Sequence, residues 1–340
     1  MNPMLRWLVI GIGDITTKRV LPAILAESRS RLAGIVTRSP AKAQQYGVPA
    51  WTTLEDALSQ SDAEAVYVAT PVFLHAPQTI ASLRAGRHVL CEKPMALNYP
   101  DACAMQKVAE ECRRTLGVAY YRRMYPKIER AKELLAAGAI GVPVFAEATS
   151  HDWFEPAGGP RGWLADPKLA GGGPLYDIAS HRIDLMNYLF GFPARATGQL
   201  SNAVHATKVE DNATVLIEYE KGVRVMVDVR WHSRIARDEF RIRGTDGEID
   251  LTPLNAPSLC YPGGRENLPA HPNLHFPCIE DFVSAVMENR APRSSGRTAM
   301  QTDWVTEYIV SANASGLNDG EAGGSVPSTG LPRPQNRQTD

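Results

Sequence analysis

The segment Trp7-Leu8-Val9-Ile10-Gly11-Ile12-Gly13-Asp14-Ile15-Thr16 opens as an apolar run and breaks at a glycine-rich turn. Such a run, bounded by glycine, reads as a buried parallel strand. The turn behind it opens a helix, whose first backbone N–H groups and dipole favour an anion such as a pyrophosphate. Gly11, Gly13, Asp14 and Ile15 are therefore candidate cofactor-binding residues. Thr16 stands where a complete G-x-G-x-x-G has its third small residue, so taken alone the turn is equally an ordinary strand-to-helix connection.

Further along, apolar strands recur at Leu32–Val36, Ala65–Ala69, His88–Cys91 and Leu116–Ala119, separated by helical patterns such as Thr79–Ala85 and Ala102–Arg113. This α/β alternation predicts a Rossmann-type, doubly wound parallel sheet, in which ligands sit beyond the carboxyl ends of the strands. Gly11–Asp14, Thr37–Arg38, Thr70–Pro71 and Glu92–Lys93 fall there together. In His88-Val89-Leu90-Cys91-Glu92-Lys93-Pro94 a charged pair follows the strand directly, with proline fixing the next turn, which places Lys93 to meet a ligand. Neighbouring side chains of an extended segment point to opposite faces, so Glu92 and Lys93 do not readily pair with each other.

The second strand ends in Thr37-Arg38-Ser39, with Lys42 shortly after and no carboxylate to bond a ribose 2′-hydroxyl. Thr37, Arg38 and Ser39 suit a 2′-phosphate instead, which favours NADP(H) over NAD(H). The same residues also read as a solvated helix cap, with Ser39 capping and Pro40 at the first helical position, and both readings can hold at once.

The chain has 340 residues, 44% hydrophobic and 21% charged, enough to bury the cores of two domains. We expect a dinucleotide-binding domain over 1–121, an α+β domain over 122–316 and a disordered or loosely packed tail over 317–340, where Gly, Ser, Pro, Asn and Asp dominate. Lys plus Arg number 36 against 37 Asp plus Glu, a net charge of -1 that offers no basic field to nucleic acid or to a membrane surface. The partner expected is a small molecule. No apolar run approaches the roughly 20 residues of a spanning helix, and Met1–Arg6 leads into a strand rather than a signal sequence, so a cytoplasmic location is expected. Cys91, Cys103, Cys112, Cys260 and Cys278 are odd in number, scattered and without a CxxC pair, which argues for reduced thiols.

After Tyr120-Tyr121-Arg122-Arg123-Met124-Tyr125-Pro126 the alternation stops. A helix with Ile128, Ala131, Leu134 and Leu135 on one side ends near Gly138. Strand-like runs follow at Pro143–Ser150, Ala196–Val204, Asn212–Tyr219, Val223–His232 and Glu239–Gly244, with turns at Gly222 and at Gly247 before Ile249–Leu251. They predict a large, mostly antiparallel sheet. Between the first two runs lies Gly171-Gly172-Gly173-Pro174-Leu175-Tyr176-Asp177-Ile178-Ala179-Ser180-His181-Arg182-Ile183-Asp184, a helix start in which Asp177, His181 and Asp184 share one face at i, i+4 and i+7. A histidine between carboxylates has its tautomer fixed and its protonated form favoured, which suits acid–base work. Two other readings stand beside this one: a metal site, with His151 as a further ligand, and a structural helix with a satisfied histidine. The triple glycine favours an approach of the backbone to a ligand.

Gly11-Ile12-Gly13, Ala65-Val66-Tyr67-Val68-Ala69-Thr70-Pro71 with Leu74-His75, and Ala85-Gly86-Arg87-His88-Val89-Leu90-Cys91-Glu92-Lys93-Pro94 together closely resemble the glucose-fructose oxidoreductase, inositol dehydrogenase and MocA family of pyridine-nucleotide enzymes. Trp163, Asp166, Gly171–Gly173, Asp177, His181 and Asp184 extend the resemblance over nearly the whole chain. It implies that Thr70, Pro71, Leu74 and His75 border the cofactor, with Glu92 and Lys93 near its nicotinamide end. Residue by residue, His75 also reads as a helix-start histidine bonded to backbone. The family implies a homodimer or homotetramer through the open face of the second domain's sheet. It also implies a sugar, polyol or related cyclic alcohol as substrate, oxidised or reduced with Lys93 polarising the oxygen, His181 moving the proton and Asp177 orienting His181 or bonding the substrate. No metal is implied. Tyr121, Arg122, Trp153 and Trp163, with Tyr125, His151 and Phe154, are candidate substrate-lining residues, since rings cover a sugar's apolar face and charged groups bond its hydroxyls; each also reads as ordinary packing. The chain departs from the pattern at Ala179, usually glycine, and at Leu164, commonly arginine, for which Arg161 could compensate. A non-catalytic dinucleotide-binding sensor and a hydrolase or lyase using tightly bound NAD transiently are the rival functions.

Overall fold

The computed structural model of the protein describes residues 4–156, 159 and 161–314; the expected tail over 317–340 lies outside them. The described residues form two compact units, one running up to Met124 with His271–Ala299, the other from Tyr125–Ala270 with Met300–Ala314.

In the first unit, β1 (Leu5–Ile10), β2 (Ser30–Val36), β3 (Ala50–Trp51), β4 (Ala65–Val68), β5 (His88–Cys91) and β6 (Leu116–Val118) form a parallel sheet in the order β3-β2-β1-β4-β5-β6. Every residue of β4 is buried, and β1 nearly so, which is why these strands read as continuous apolar runs rather than as an alternation. The helices between strands are α1 (Leu21–Ala26), α2 (Leu54–Gln60), α3 (His75–Arg84) and α4 (Tyr99–Glu111). Thr53 and Asn98 cap the starts of α2 and α4, accepting the amides of Asp56 and Asp101 at 3.2 and 2.8 Å.

The second unit contains α5 (Pro126–Ala136), α6 (Pro167–Ala170), α7 (Ser180–Phe190) and an eight-stranded sheet. Its strands are β7 (Pro143–Trp153), β8 (Pro193–Ser201), β9 (Asn212–Tyr219), β10 (Arg224–Arg230), β11 (His232–Gly244), β12 (Glu248–Asp250), β13 (Ser258–Tyr261) and β14 (Gly264–Asn267), in the order β14-β13-β12-β11-β7-β10-β9-β8. Pairing is antiparallel except between β10 and β7. One face buries Ala146, Ala148, Val215, Ile217, Val225, Val227, Phe240 and Ile242. The opposite face is half-exposed and laced with charge: Arg243 bonds Glu147 at 2.8 Å and Arg241 bonds Glu239 at 3.0 Å. The run Val223–His232 is divided by the structure at Trp231, whose amide turns to the Asp211 carbonyl, and β11 then starts at His232 rather than at Glu239.

A later helix, α8 (Phe276–Met287), belongs to the first unit, although sequence division at 121/122 assigns it to the second domain. The reason is packing. Ile279, Phe282 and Val283 enter the core formed by Trp7, Val9, Ile24, Tyr67 and Leu90, with the Trp7 and Phe282 rings 5.4 Å apart. The last helix is α9 (Gly296–Ala314).

His88 opens β5, and its Nδ1 accepts the Thr115 amide at 3.0 Å beside the start of β6. Burial, reinforced by the Arg114 guanidinium, pushes its pKa down from 6.5 to about 4. The folded protein thus keeps the ring neutral while the unfolded chain takes a proton first, so stability is lost as pH falls from 6.5 towards 4. Replacing His88 by Asn keeps an acceptor for Thr115 and removes the titration. We expect urea denaturation to show the wild type losing about 1–2 kcal/mol more than His88→Asn between about pH 7 and about pH 4.5, the partial exposure of the ring being allowed for. Equal losses would contradict this assignment.

Candidate active site

Gly11 follows β1 with φ +93, and a Cβ there would lie 2.7 Å from the Ala69 carbonyl oxygen, so the turn admits only glycine. Its amide donates to the Val36 carbonyl at 2.9 Å, which sets the turn between the ends of β2 and β4. At Gly13 an added Cβ would meet nothing within 4 Å, leaving open space beside the turn. The Thr17 amide bonds back to the Gly13 carbonyl at 3.1 Å. The amides of Asp14, Ile15 and Thr16 therefore lie in the first turn, ahead of any helical acceptor. Thr16 is buried, and its Oγ1 has no hydrogen-bond partner among the described residues. Open space, free first-turn amides and a buried hydroxyl fit a pyrophosphate. The following turn, Thr16–Val20, is π-helical.

At the end of β2, the Thr37 amide bonds the Trp51 carbonyl, and Thr37 Oγ1 accepts the Ser39 amide at 3.1 Å. Ser39 makes no side-chain cap bond to the short turn Pro40–Lys42 that follows. Arg38, Ser39 and Lys42 are exposed.

The ends of β4 and β5 are tied together by His75. Its Nδ1 lies 2.9 Å from the Pro94 carbonyl and its Nε2 2.9 Å from the Thr70 carbonyl. The ring is buried, and burial lowers its pKa despite both contacts. His75 is thus engaged with backbone at the start of α3, and holds the Thr70–Pro71 loop against the loop that carries Lys93. Pro71 lies at the start of that loop, Leu74 immediately precedes His75, and Thr70 Oγ1 donates to Gln78 at 2.7 Å.

Glu92 is buried at the end of β5. Tyr67 Oη donates to its Oε1 at 2.7 Å, His275 Nε2 approaches the same oxygen at 3.2 Å, and the Lys93 amide donates to Oε2 at 3.2 Å. Burial alone would raise the carboxyl pKa. The bonds from His275 and Tyr67, with the Lys93 charge, outweigh it and hold the group below its ordinary value. Tyr67, itself buried and facing that negative charge, has its pKa raised well above 10.0 and remains a donor. The Tyr121 ring lies 4.7 Å from that of His275, and the Arg122 guanidinium sits 5.0 Å above Tyr121.

In the second unit, the triple glycine meets its own neighbours. Cβ atoms at Gly171 and Gly172 would strike the Tyr176 ring at 2.4 and 2.5 Å, and one at Gly173 would strike the Glu210 carbonyl at 2.0 Å. The close approach demanded there is internal packing, which by itself accounts for the glycines. Glu210 Oε1 accepts the Leu175 amide at 3.0 Å and anchors the start of the helix; burial raises its pKa against that bond. Leu175–Ala179 is a π-helical turn, continuous with α7 and packed on β9 and β10. Asp177 sits in the π-helical turn and His181 in the first turn of α7. Asp177 pairs with Arg161, whose guanidinium lies 5.6 Å from the Phe154 ring centroid. His181 and Asp184 are buried, and Asp184 lies close enough to Tyr219 to help raise that hydroxyl's pKa after burial.

Leu164 and Phe154 are both buried with Ala170, Val209 and Trp231, so leucine stands in the arginine position here as a core residue. Trp153 has the Arg234 guanidinium 3.8 Å above its ring, Trp163 is 39% exposed, and Tyr125 is buried. His151 lies on the charged face of the sheet and bonds Asp228. Among the described residues, no group of three or more His, Cys, Asp and Glu could hold a metal ion.

Tyr67, His275 and Glu210 escaped the sequence reading. Tyr67 carried a signal: a phenol inside an otherwise apolar buried strand needs a polar partner. His275 carried none, being 183 residues from Glu92.

Residues 5–120 match the model of the oxidoreductase family with an NAD-binding Rossmann fold, and residues 128–250 match the GFO/IDH/MocA C-terminal domain. The chain is 29% identical over 326 residues to 1,5-anhydro-D-fructose reductase of Ensifer adhaerens, covering 92% of this chain and 97% of that one. It is 30% identical over 260 residues to Oxidoreductase P35 of Formosa agariphila, covering 74% and 80%. Among solved structures, an aldose-aldose oxidoreductase from Caulobacter crescentus complexed with glycerol superposes with a TM-score of 0.82 at 25% identity, covering 92% of this chain and 98% of that one. The chain belongs to the glucose-fructose oxidoreductase, inositol dehydrogenase and MocA family, and is one of its NAD-binding, Rossmann-fold oxidoreductases.

Proposed function

We propose that the protein moves a hydride between a nicotinamide dinucleotide and a hydroxyl or keto carbon of a sugar, polyol or related cyclic alcohol. The observation that carries this reading is the carboxyl edge of the first sheet. There the Gly11–Gly13 turn, the Thr70–His75 loop and Lys93 are brought side by side, with Lys93 held by a buried carboxylate. The name of the reductase from Ensifer adhaerens supports the substrate class. When bound, the dinucleotide supplies the hydride acceptor or donor.

The chain's own residues do the rest. Asp14, Ile15 and Thr16 amides hold the pyrophosphate; Thr70, Pro71, Leu74 and His75 border the cofactor, and Glu92 and Lys93 lie near its nicotinamide end. Lys93 polarises the substrate oxygen and stabilises negative charge on it. His181 takes the hydroxyl proton in oxidation and returns it in reduction. Asp177 orients His181 or bonds the substrate, with Arg161 as its partner. Tyr121, Arg122, Trp153 and Trp163 contribute to substrate binding. We assign dinucleotide binding to the first domain and substrate binding to the second. The open face of the eight-stranded sheet is assigned to a homodimer or homotetramer, for which its half-exposed strands β7, β9 and β10 give the surface. A cytoplasmic location is consistent with five free cysteines.

A panel of sugars, inositols and ketosugars, followed by absorbance of reduced nicotinamide, should show turnover by the wild type. Lys93→Ala should lose on the order of 10²–10³ in kcat and His181→Ala on the order of 10²–10⁴; wild-type rates in both variants would refute the catalytic assignment. Conversion without net redox change would favour transient use of NAD, and binding without conversion a sensor.

Arg38, Thr37 and Ser39 favour NADP(H), since an exposed guanidinium at the end of β2 matches a 2′-phosphate and no carboxylate stands there to repel it. Titrations should give tighter binding of NADPH than NADH, and Arg38→Ala should weaken NADPH by about 10–100-fold while leaving NADH nearly unchanged. Dissociation constants favouring NADH in the wild type would reject the preference.

A further inference from the structure

Glu92 carries an unusual load for a residue that touches solvent so little. Its Oε1 faces Tyr67 Oη at 2.7 Å and His275 Nε2 at 3.2 Å, and its Oε2 holds the Lys93 amide at 3.2 Å. A buried carboxylate keeps its charge only while such donors are in place. The donors are rigidly mounted. Tyr67 lies within β4, in register with Leu90 on β5. His275 immediately precedes α8, whose Ile279 and Phe282 are locked in the core, and its amide bonds Asn273 Oδ1 at 3.1 Å, while Asn273 bonds the Arg19 carbonyl at 2.8 Å. Among the described residues, His275 Nδ1 has no hydrogen-bond partner. The tautomer with its proton on Nε2 therefore matches the surroundings, donating to Glu92 and leaving no orphaned N–H.

We propose that His275 and Tyr67 are positioning residues for Lys93: they fix the Glu92 carboxylate, and Glu92 fixes the backbone of the turn from which Lys93 projects. His275 extends the same network to the substrate side, because its ring supports Tyr121, which in turn lies under Arg122. One segment from the far end of the chain thereby sets both a catalytic lysine and a substrate-lining pair. The inference rests on the reading of Lys93 as catalytic, but the clamp itself is a physical claim about the Lys93 amide.

Three variants separate the contributions. Tyr67→Phe removes only a hydroxyl, His275→Phe keeps a ring against Tyr121 without the donor, and His275→Gln restores a donor. Amide hydrogen exchange of the peptide containing Lys93, which needs no turnover, should be at least about tenfold faster in Tyr67→Phe and His275→Phe than in the wild type. It should return towards the wild-type rate in His275→Gln. With a substrate that the wild type turns over, kcat should fall about tenfold or more in the two phenylalanine variants while KM for the cofactor changes little, because a lysine displaced by a fraction of an ångström still allows binding.

The acid limb of the kcat profile should also move to higher pH in these variants, since a carboxylate stripped of donors protonates sooner. The groups facing Glu92 that set this limb are Tyr67 from β4, His275 before α8, Lys93 after β5 and His75 at the start of α3. Unchanged exchange at Lys93 in both phenylalanine variants, or unchanged kcat and pH profile, overturns the proposal. Absence of redox turnover in the wild type overturns the function instead and leaves the exchange result to decide the clamp.

Discussion

An ionised carboxylate inside a protein has to be surrounded by donors, and Glu92 imposes that requirement on the whole carboxyl edge of the first sheet. Taking such a group from water costs several kcal/mol unless hydrogen bonds replace the lost hydration. Tyr67, His275 and the Lys93 amide replace it here. Each donor belongs to a different piece of chain: the fourth strand, the segment before α8 and the turn after the fifth strand. Their convergence on one side chain makes local order at Lys93 a product of global folding. His75 adds a second tether between the same turn and the Thr70 loop, so both loops are held by polar contacts of a buried side chain rather than by packing alone.

Much of this was legible because parallel strands buried on both faces write themselves as apolar runs. The starts and ends of β5 and β9 agree with the sequence reading, and the loops at the ends of β1, β2, β4 and β5 line up as the strand order requires. Other features had no local signature. The hairpin β13–β14 is short and, in Gly264–Asn267, lacks apolar alternation altogether. The helix α8 has an apolar stripe, yet nothing in that stripe says which of two cores it enters; only the fit of Phe282 against Trp7 decides. Gly171–Gly173 gave a clear demand for close approach, but sequence alone could not say whether ligand or Tyr176 and Glu210 would make it.

The two π-helical turns show the same limit at finer scale. Periodicity assumes uniform α-helical winding through Asp177 and His181, whereas the turn that carries Asp177 is π-helical and α-helical winding starts only at Ser180. At Thr16–Val20 the second π turn occurs where the third glycine of the phosphate turn is replaced by a buried threonine, so a larger residue there coincides with a locally wider helix.

The placement of His271–Ala299 has a consequence for how the protein is made. On a ribosome the six strands of the first sheet emerge well before Ile279, Phe282 and Val283, the residues that complete their core. Until that late segment arrives, Trp7 lacks the Phe282 ring that packs against it and Glu92 lacks one of its donors. The nascent amino-terminal half must therefore wait, with apolar surface open, while the intervening 125–270 is synthesised. A chain organised this way depends on holding that half out of aggregation for the length of an entire inserted unit, and its yield in a cell is tied to elongation speed and chaperone access more closely than that of a protein whose domains close in order.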